Sequence, residues 1–246
     1  MRQRKKPAEM RFINYGYQDD AQPLSPNKLD ECDIEDRLWI QLYDHVATLA
    51  DIDGKEVLDV GSGKGGGSYY VAKYLNPLKV TGLDLSEDAI VFCEKNYDLP
   101  NLGFVRGDAE GTQFAENLFD SVLNVESSHC YGSMERFLKE VKRILKPGGF
   151  LHFADLRPDM EVLLLEKQLF SSGLTLIKKK DISSNVLRAL TVDHERKMEW
   201  IQQCTPQSLW SILLDYSGTK GSKIYNLFET RQIVYLSYLL QKSPGY

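Results

Sequence analysis

Five glycines fall within nine residues of this chain, Asp59-Val60-Gly61-Ser62-Gly63-Lys64-Gly65-Gly66-Gly67. They follow a short apolar run, 56–60, that reads as a strand, and precede a segment, 68–75, that reads as a helix. Glycines at such a turn accept unusual dihedrals and let the backbone pass close to a ligand. Two templates fit. Gly61, Gly63 and Gly66 match the G-x-G-x-x-G dinucleotide spacing, and Gly61, Gly63 and Gly65 match a tighter G-x-G-x-G loop. Either match alone is weak, and a tight turn without a ligand stays open.

The surrounding pattern gives the loop a context. Further strands are expected at 79–83, 102–105, 119–125, 150–154, 174–177 and 232–240. Between them lie helices at 86–97, with Ser86 as N-cap, at 133–145, stopped by Pro147-Gly148-Gly149, and at 160–170. Leu38, Ile40, Leu42, Val46 and Leu49 mark an amphipathic helix over 34–50. Strands alternating with helices predict an α/β fold, a mostly parallel seven-stranded sheet with helices on both faces. The segment 183–216 reads as mostly helical with a break near Pro206, and a helical lid over about 183–229 is expected before the last strand. Ile233, Tyr235, Ser237 and Leu239 alternate within that strand. Residues 1–33 are irregular, broken by Pro7, Pro23 and Pro26, yet Phe12, Tyr15 and Tyr17 predict an arm that packs. The expected organisation is one domain over 1–246: arm and first helix in 1–50, a ligand-binding core in 51–158, and the remaining sheet elements with the lid in 159–246.

Composition narrows the ligand. The formal charge is −5, and the densest basic cluster, Lys178-Lys179-Lys180, reads as a solvated strand end. A nucleic-acid partner is not expected; a small molecule is. No run approaches the roughly 20 apolar residues of a membrane span. The basic start, Met1 to Pro7, is not followed by the apolar run of a signal peptide, so a cytoplasmic protein is expected. Cys32, Cys93, Cys130 and Cys204 are far apart, without a Cys-x-x-Cys pair or a His at ligand spacing. Neither a disulfide framework nor a metal site is expected.

Asp84 ends the second strand, roughly twenty residues past the loop, where an acidic side chain accepts hydrogen bonds from ribose hydroxyls. A helix-capping role is the alternative. NAD and S-adenosylmethionine both carry a ribose, so this step leaves both open. Further motifs separate them. Gly107-Asp108-Ala109-Glu110 follows the third strand, Phe119-Asp120-Ser121-Val122-Leu123-Asn124 forms the fourth, and Leu145-Lys146-Pro147-Gly148-Gly149-Phe150 leads into the fifth. With the loop and Asp84, this order and register resembles the class I S-adenosylmethionine-dependent methyltransferases, a Rossmann-like fold. The resemblance implies S-adenosylmethionine as cofactor and S-adenosylhomocysteine as product. It implies cofactor contacts from Gly61, Ser62, Gly63, Gly65, Asp84, Leu85, Asp108, Ala109, Glu110, Asn124 and Val125, with a carboxylate of the Asp108 motif near the adenine amino group. Phe12-Ile13-Asn14-Tyr15-Gly16-Tyr17, Gly65-Gly66-Gly67, the segment from Asn124 to Tyr131 and Phe153-Ala154-Asp155-Leu156-Arg157-Pro158 are similar to the phthiotriol dimycocerosate methyltransferases and related natural-product O-methyltransferases. That implies methylation of a hydroxyl on a small lipid, polyketide or glycoside-like acceptor.

A hydroxyl acceptor needs a base. His129 follows the fourth strand at the carboxyl edge of the sheet, and its ordinary pKa of about 6.5 suits proton removal near neutrality. Sugar O-methyltransferases with a similar Glu-Ser-x-His segment place a His there; Cys130 stands where they carry a second one. Asp155 ends the fifth strand and is expected to orient His129; a salt bridge to Arg157 or a cap is its alternative, and a loop-bonded structural role that of His129. Glu126 is a further candidate for orienting backbone or acceptor. Tyr15 and Tyr17 are expected to close over the sulfonium, or else to anchor the arm. His45 and His152 read as packing, His194 as solvated, and Trp200, Trp210, Leu213 and Leu214 as core. Competing readings are N- or C-methylation, a non-catalytic S-adenosylmethionine-binding protein, and a nicotinamide-dependent oxidoreductase, whose Tyr-x-x-x-Lys pair is missing after the fourth strand. Oligomeric state is not set by these features.

Overall fold

The computed structural model describes residues 10–21, 24–25 and 28–245; the basic start and Pro7, Pro23 and Pro26 lie outside them. A 3₁₀ turn, Glu31–Asp36, leads into α1 (Arg37–Ala47). Then β1 (Glu56–Val60), α2 (Gly66–Tyr74), β2 (Lys79–Asp84), α3 (Glu87–Asn96), β3 (Leu102–Arg106), β4 (Phe119–Val125), α4 (Met134–Ile144) and β5 (Leu145–Pro158) follow. The chain continues through α5 (Val162–Ser171), β6 (Thr175–Asp181), α6 (Ser183–Val192), α7 (His194–Cys204), α8 (Trp210–Tyr216), α9 (Lys223–Glu229) and β7 (Ile233–Gln241). The seven strands form one sheet in the order β3-β2-β1-β4-β5-β7-β6. β1 to β5 pair in parallel, and β7 is antiparallel to both its neighbours. This is the Rossmann-like class I methyltransferase fold that the motifs predict.

Alternate residues of each strand serve opposite faces. Val57, Val80, Leu123 and Ala154 pack with α1, α2, α6 and α9. Leu58, Val60, Val122 and Leu151 pack with α4 and α5. In α4, Met134, Phe137, Leu138, Val141 and Ile144 recur at helical spacing and are all buried. The Ser133 side chain caps its first turn by accepting from Arg136 N–H. Each such apolar side chain contributes about 1.5–3 kcal/mol by leaving water, and Phe137→Ala is expected to cost about 3–5 kcal/mol.

The reversal of β7 positions the site. β6 ends at the carboxyl edge of the parallel strands, and α6 to α9 stay at that edge instead of crossing back. β7 therefore enters from the same edge, with Ile233 opposite Pro158, and runs antiparallel. It lies between β5 and β6, and Ile233 to Leu240 are buried on both faces, Ile233 and Tyr235 in the cluster with α1, α6 and α9, and Val234, Leu236, Tyr238 and Leu240 in the cluster with α4 and α5. The alternation read at Ile233, Tyr235, Ser237 and Leu239 thus overlies a strand that is doubly covered. β5 runs past the expected strand at both ends: it starts at Leu145, and its last four residues, Asp155 to Pro158, pair with Leu236 to Ile233. The lysine cluster is in β6 itself, where Lys180 donates to the Tyr17 hydroxyl (3.1 Å) and Lys179 pairs with Glu166. Among the described residues no helix is long and apolar enough to cross a membrane.

Candidate functional site

The carboxyl ends of β1 to β4 open into a cavity of about 500 Å³, within the range of about 300–1,000 Å³ typical of ligand sites. The glycine loop forms one wall. Gly61 and Ser62 both donate their N–H to the Leu83 carbonyl, at 2.8 and 3.0 Å, which folds the loop back on β2. Gly61 has φ +75, and a Cβ there would lie 2.5 Å from Ser127. A Cβ on Gly67 would enter the Tyr43 ring at 1.9 Å. That close approach lets α1 lie against α2, which starts at Gly66, ahead of the expected 68, with the left-handed Gly65 as its N-cap.

Asp84 braces the loop from the next strand. One carboxylate oxygen accepts Gly63 N–H (2.8 Å) and the other accepts Ser86 N–H (2.9 Å), so the helix-start role and the place beside the loop coincide. Leu85, Gly107, Asp108, Ala109, Glu110 and Val125 continue the wall. Glu110 accepts the N–H groups of Gly132 (2.7 Å) and Ser133 (3.0 Å), joining the loop after β3 to the loop after β4. Ser62 Oγ is buried on the cavity wall without a hydrogen-bond partner. A hydroxyl kept unpaired there, glycines that a Cβ would block and a carboxylate beside the loop fit a nucleoside-bearing ligand such as S-adenosylmethionine.

The predicted residues do not all reach this cavity. Gly65 lies behind the loop as the left-handed N-cap of α2, backed by Cys93 and Phe104. Asn124 is fully buried and donates to the Val60 carbonyl, Ser127 and Tyr131, which fixes the loop from beneath. Tyr17 is a correction: it is buried against His45, with ring centroids 4.6 Å apart, and anchors the arm away from the cavity. Tyr15 does line it. His152 is buried between the Val46 carbonyl and Ser121, and His194 accepts Lys220 N–H, both apart from the site.

At the opposite wall stands His129, with Asp155 beneath it. His129 Nδ1 is 2.8 Å from Asp155 Oδ1, and its backbone N–H donates to Oδ2 at 2.9 Å. Asp155 is completely buried and also takes Ser128 Oγ (2.5 Å) and the Arg157 guanidinium (3.0 Å). The two alternatives weighed for this carboxylate, histidine partner and arginine partner, are both realised. The hydrogen bond to Asp155 raises the His129 pKa above its ordinary value, against desolvation. Burial works against the charge on Asp155, but His129 and Arg157 outweigh it and hold its pKa below the usual range. Nδ1 is thereby the protonated nitrogen, and Nε2 is the basic one.

Glu126 sits three residues earlier, also on the wall, with φ +53, a left-handed backbone that a non-glycine residue rarely adopts. Its Oε2 accepts both Tyr15 N–H and the Tyr235 hydroxyl at 3.0 Å, tying the N-terminal arm to β7 across the site. Burial pushes its pKa up to about 8. The arm contributes Arg11, Phe12, Ile13 and Asn14 to the wall, and α8 contributes Tyr216. Periodicity gives no signal for these; only the aromatic cluster of the arm hints at them. A second cavity of about 190 Å³ adjoins the first, sharing Phe12, Ile13, Asn14, Tyr15 and Tyr216. Trp200 and Leu213 line it, a correction to their reading as core. Their spacing fits burial, but what they face is a chamber under the helices.

Residues 58–153 match the family model described as a methyltransferase domain. The chain is 38% identical over 234 residues to the phthiotriol/phenolphthiotriol dimycocerosates methyltransferase of Mycobacterium tuberculosis, covering 95% of this chain and 86% of that protein. It is 38% identical over 218 residues to the fatty-acid O-methyltransferase of Mycolicibacterium smegmatis, covering 89% and 77%. Among solved structures, the [4+2]-cyclase SpnF superposes with a TM-score of 0.72 at 20% identity, covering 95% and 89%, which speaks for the fold alone. With a relative this similar over nearly its whole length, and with the glycine loop, Asp84 and the β4 and β5 ends in place, the chain belongs to the class I S-adenosylmethionine-dependent methyltransferases, in the family of the phthiotriol/phenolphthiotriol dimycocerosates methyltransferases.

Proposed function

We propose that this methyltransferase acts on an oxygen of a lipid-like natural product, a hydroxyl, with His129 as its base and Asp155 as the residue that positions that base. The observation that carries this reading is the His129–Asp155 pair on the wall of the glycine-loop cavity. The names of two relatives, one acting on phthiotriol and phenolphthiotriol dimycocerosates and one a fatty-acid O-methyltransferase, support an oxygen on a long aliphatic molecule.

Bound in the cavity, S-adenosylmethionine supplies a methyl group on a sulfonium, an excellent leaving group. Gly61, Ser62 and Gly63 would pass their backbone along it, Asp84 would accept from the ribose, and Leu85, Asp108, Ala109, Glu110 and Val125 would enclose the base. His129 Nε2 would take the hydroxyl proton as the oxygen attacks, while Asp155 keeps the proton on Nδ1 and balances the imidazolium. Glu126 and Tyr15 hold the arm over the site, and α6 to α9 act as the lid, which keeps water out and fixes the acceptor in line. Cys32, Cys93 and Cys130 are free thiols, which suits a reducing, cytoplasmic setting.

The test begins with calorimetric titration of S-adenosylhomocysteine, with NAD in parallel, and continues with a product assay on hydroxylated lipids, polyketides and glycosides. Saturable binding of S-adenosylhomocysteine alone, and a methyl ether product lost in His129→Ala, is the expected result. A His129→Ala variant with full activity on its true acceptor would overturn the base assignment.

A further inference from the structure

The second cavity lies between the N-terminal arm and helices α7 and α8. Trp39, Trp200, Ile201, Leu213 and Tyr216 make it mostly apolar. Lys197 also lines it, although only 8% of this residue is exposed. An ammonium in such a place is expensive unless it is fully paired.

Its pairing is incomplete. Lys197 Nζ donates to the Ser217 carbonyl at 2.9 Å. The nearest carboxylate, Asp193, stands 3.8 Å away and is already held by Arg196 at 2.6 and 3.0 Å. Arg196 is itself committed, lying 4.1 Å over the Trp39 ring. Asp36, on the same wall, is taken by Arg11 at 2.6 Å. Asp193 therefore serves two cations, Arg196 also reaching Asp36 at 3.7 Å, and Lys197 keeps donor capacity beside an apolar chamber. Burial accordingly lowers its pKa, to about 8.

We infer that this chamber receives the aliphatic part of the acceptor and that Lys197 pairs there with an anionic oxygen, a carboxylate, carried on that chain. The inference rests on the proposed acceptor class and sharpens it. The shared arm residues and Tyr216 border both cavities, so a chain lying here has its other end at the methyl-transfer cavity. The amphiphile selected would carry the methylated oxygen at one point and a negative charge at another.

Octanoate and 1-octanol serve as probes, titrated by calorimetry into the full chain saturated with S-adenosylhomocysteine. The intact protein is expected to bind octanoate at least about tenfold more tightly than octanol, the effect of about 1.4 kcal/mol. Lys197→Met is expected to erase that preference by weakening octanoate alone, and Leu213→Trp, which fills the chamber, to weaken both. Equal affinity for the two probes in the unaltered protein overturns the proposal without reference to any variant. An equal loss of both probes in Lys197→Met assigns the side chain to holding Ser217 instead, and octanoate binding untouched in Leu213→Trp moves the ligand elsewhere. None of these readings depends on methyl transfer to a hydroxyl, so a failure of that reaction is separately visible.

Discussion

Asp155 holds His129 at two points, the imidazole Nδ1 and the backbone N–H, from a fully buried position one strand away. Ring orientation and loop position are therefore set by one carboxylate. General-base catalysis typically contributes about 10²–10⁴-fold. His129→Ala is expected to lower kcat by that order while S-adenosylhomocysteine still binds. The base works unprotonated, so activity should rise with pH through a His129 pKa that Asp155 holds above its ordinary value. Asp155→Asn removes that charge, so the acidic limb of the kcat profile should move to lower pH as the maximum falls. A limb that stays in place in Asp155→Asn assigns it to another group.

Gly61 and Gly63 both have positive φ, yet their surroundings differ. A Cβ at Gly61 meets Ser127 at 2.5 Å, whereas one at Gly63 meets only the end of Ile13 at 3.6 Å. The left-handed backbone costs each alanine roughly 1–2 kcal/mol. Gly61→Ala must also displace Ser127, whose hydroxyl bonds the Val60 carbonyl and accepts from Asn124. Thermal melting with S-adenosylhomocysteine titration should show Gly61→Ala losing more stability and more affinity than Gly63→Ala. The reverse order would detach the loop's rigidity from ligand binding.

Asp84→Ala removes the acceptor for Gly63 N–H as well as the proposed ribose contact. Hydrogen bonds to charged groups contribute about 1.5–3 kcal/mol. S-adenosylhomocysteine affinity is expected to fall roughly 10- to 100-fold, read by calorimetry. Unchanged affinity places ribose recognition on another residue.

The strands β1 to β3 were legible because each is a short run bounded by glycine, proline or a capping serine, and β4 through its matched motif. Asp84 was legible as a site candidate because a strand end fixes where its last side chain goes; His129 lies four residues past the end of β4, in a 3₁₀ turn, and only its motif brought it forward. Tyr17 was misplaced for a physical reason: two tyrosines two residues apart in an irregular arm carry no periodicity that says which faces the ligand. Asn124 and Gly65 belong to matched motifs, but they shape the loop from behind. The chamber beside Trp200 and Leu213 was hidden because a wall and a core use the same apolar side chains. Glu126 offered no local sign of its left-handed backbone, at a position where its N–H bonds the Ala154 carbonyl and its carboxyl reaches the arm.

Glu126 gives the pH dependence of stability an unusual sign. Its pKa is near 8 in the folded chain and about 4.5 in the unfolded one, so between those values the folded state binds more protons. Stability from this group therefore falls as pH rises from about 4.5 towards 8, with a slope of at most about 1.4 kcal/mol per pH unit for one proton. Glu126→Gln keeps an acceptor oxygen for Tyr15 N–H and the Tyr235 hydroxyl but cannot ionise. Urea unfolding at pH 5, 6, 7 and 8 should show a decline in the unaltered protein that is flattened in Glu126→Gln, with the gap between them widening in the variant's favour at higher pH. Parallel curves would mean that Glu126 is ionised throughout, and the tie between arm and β7 would then be a charged one.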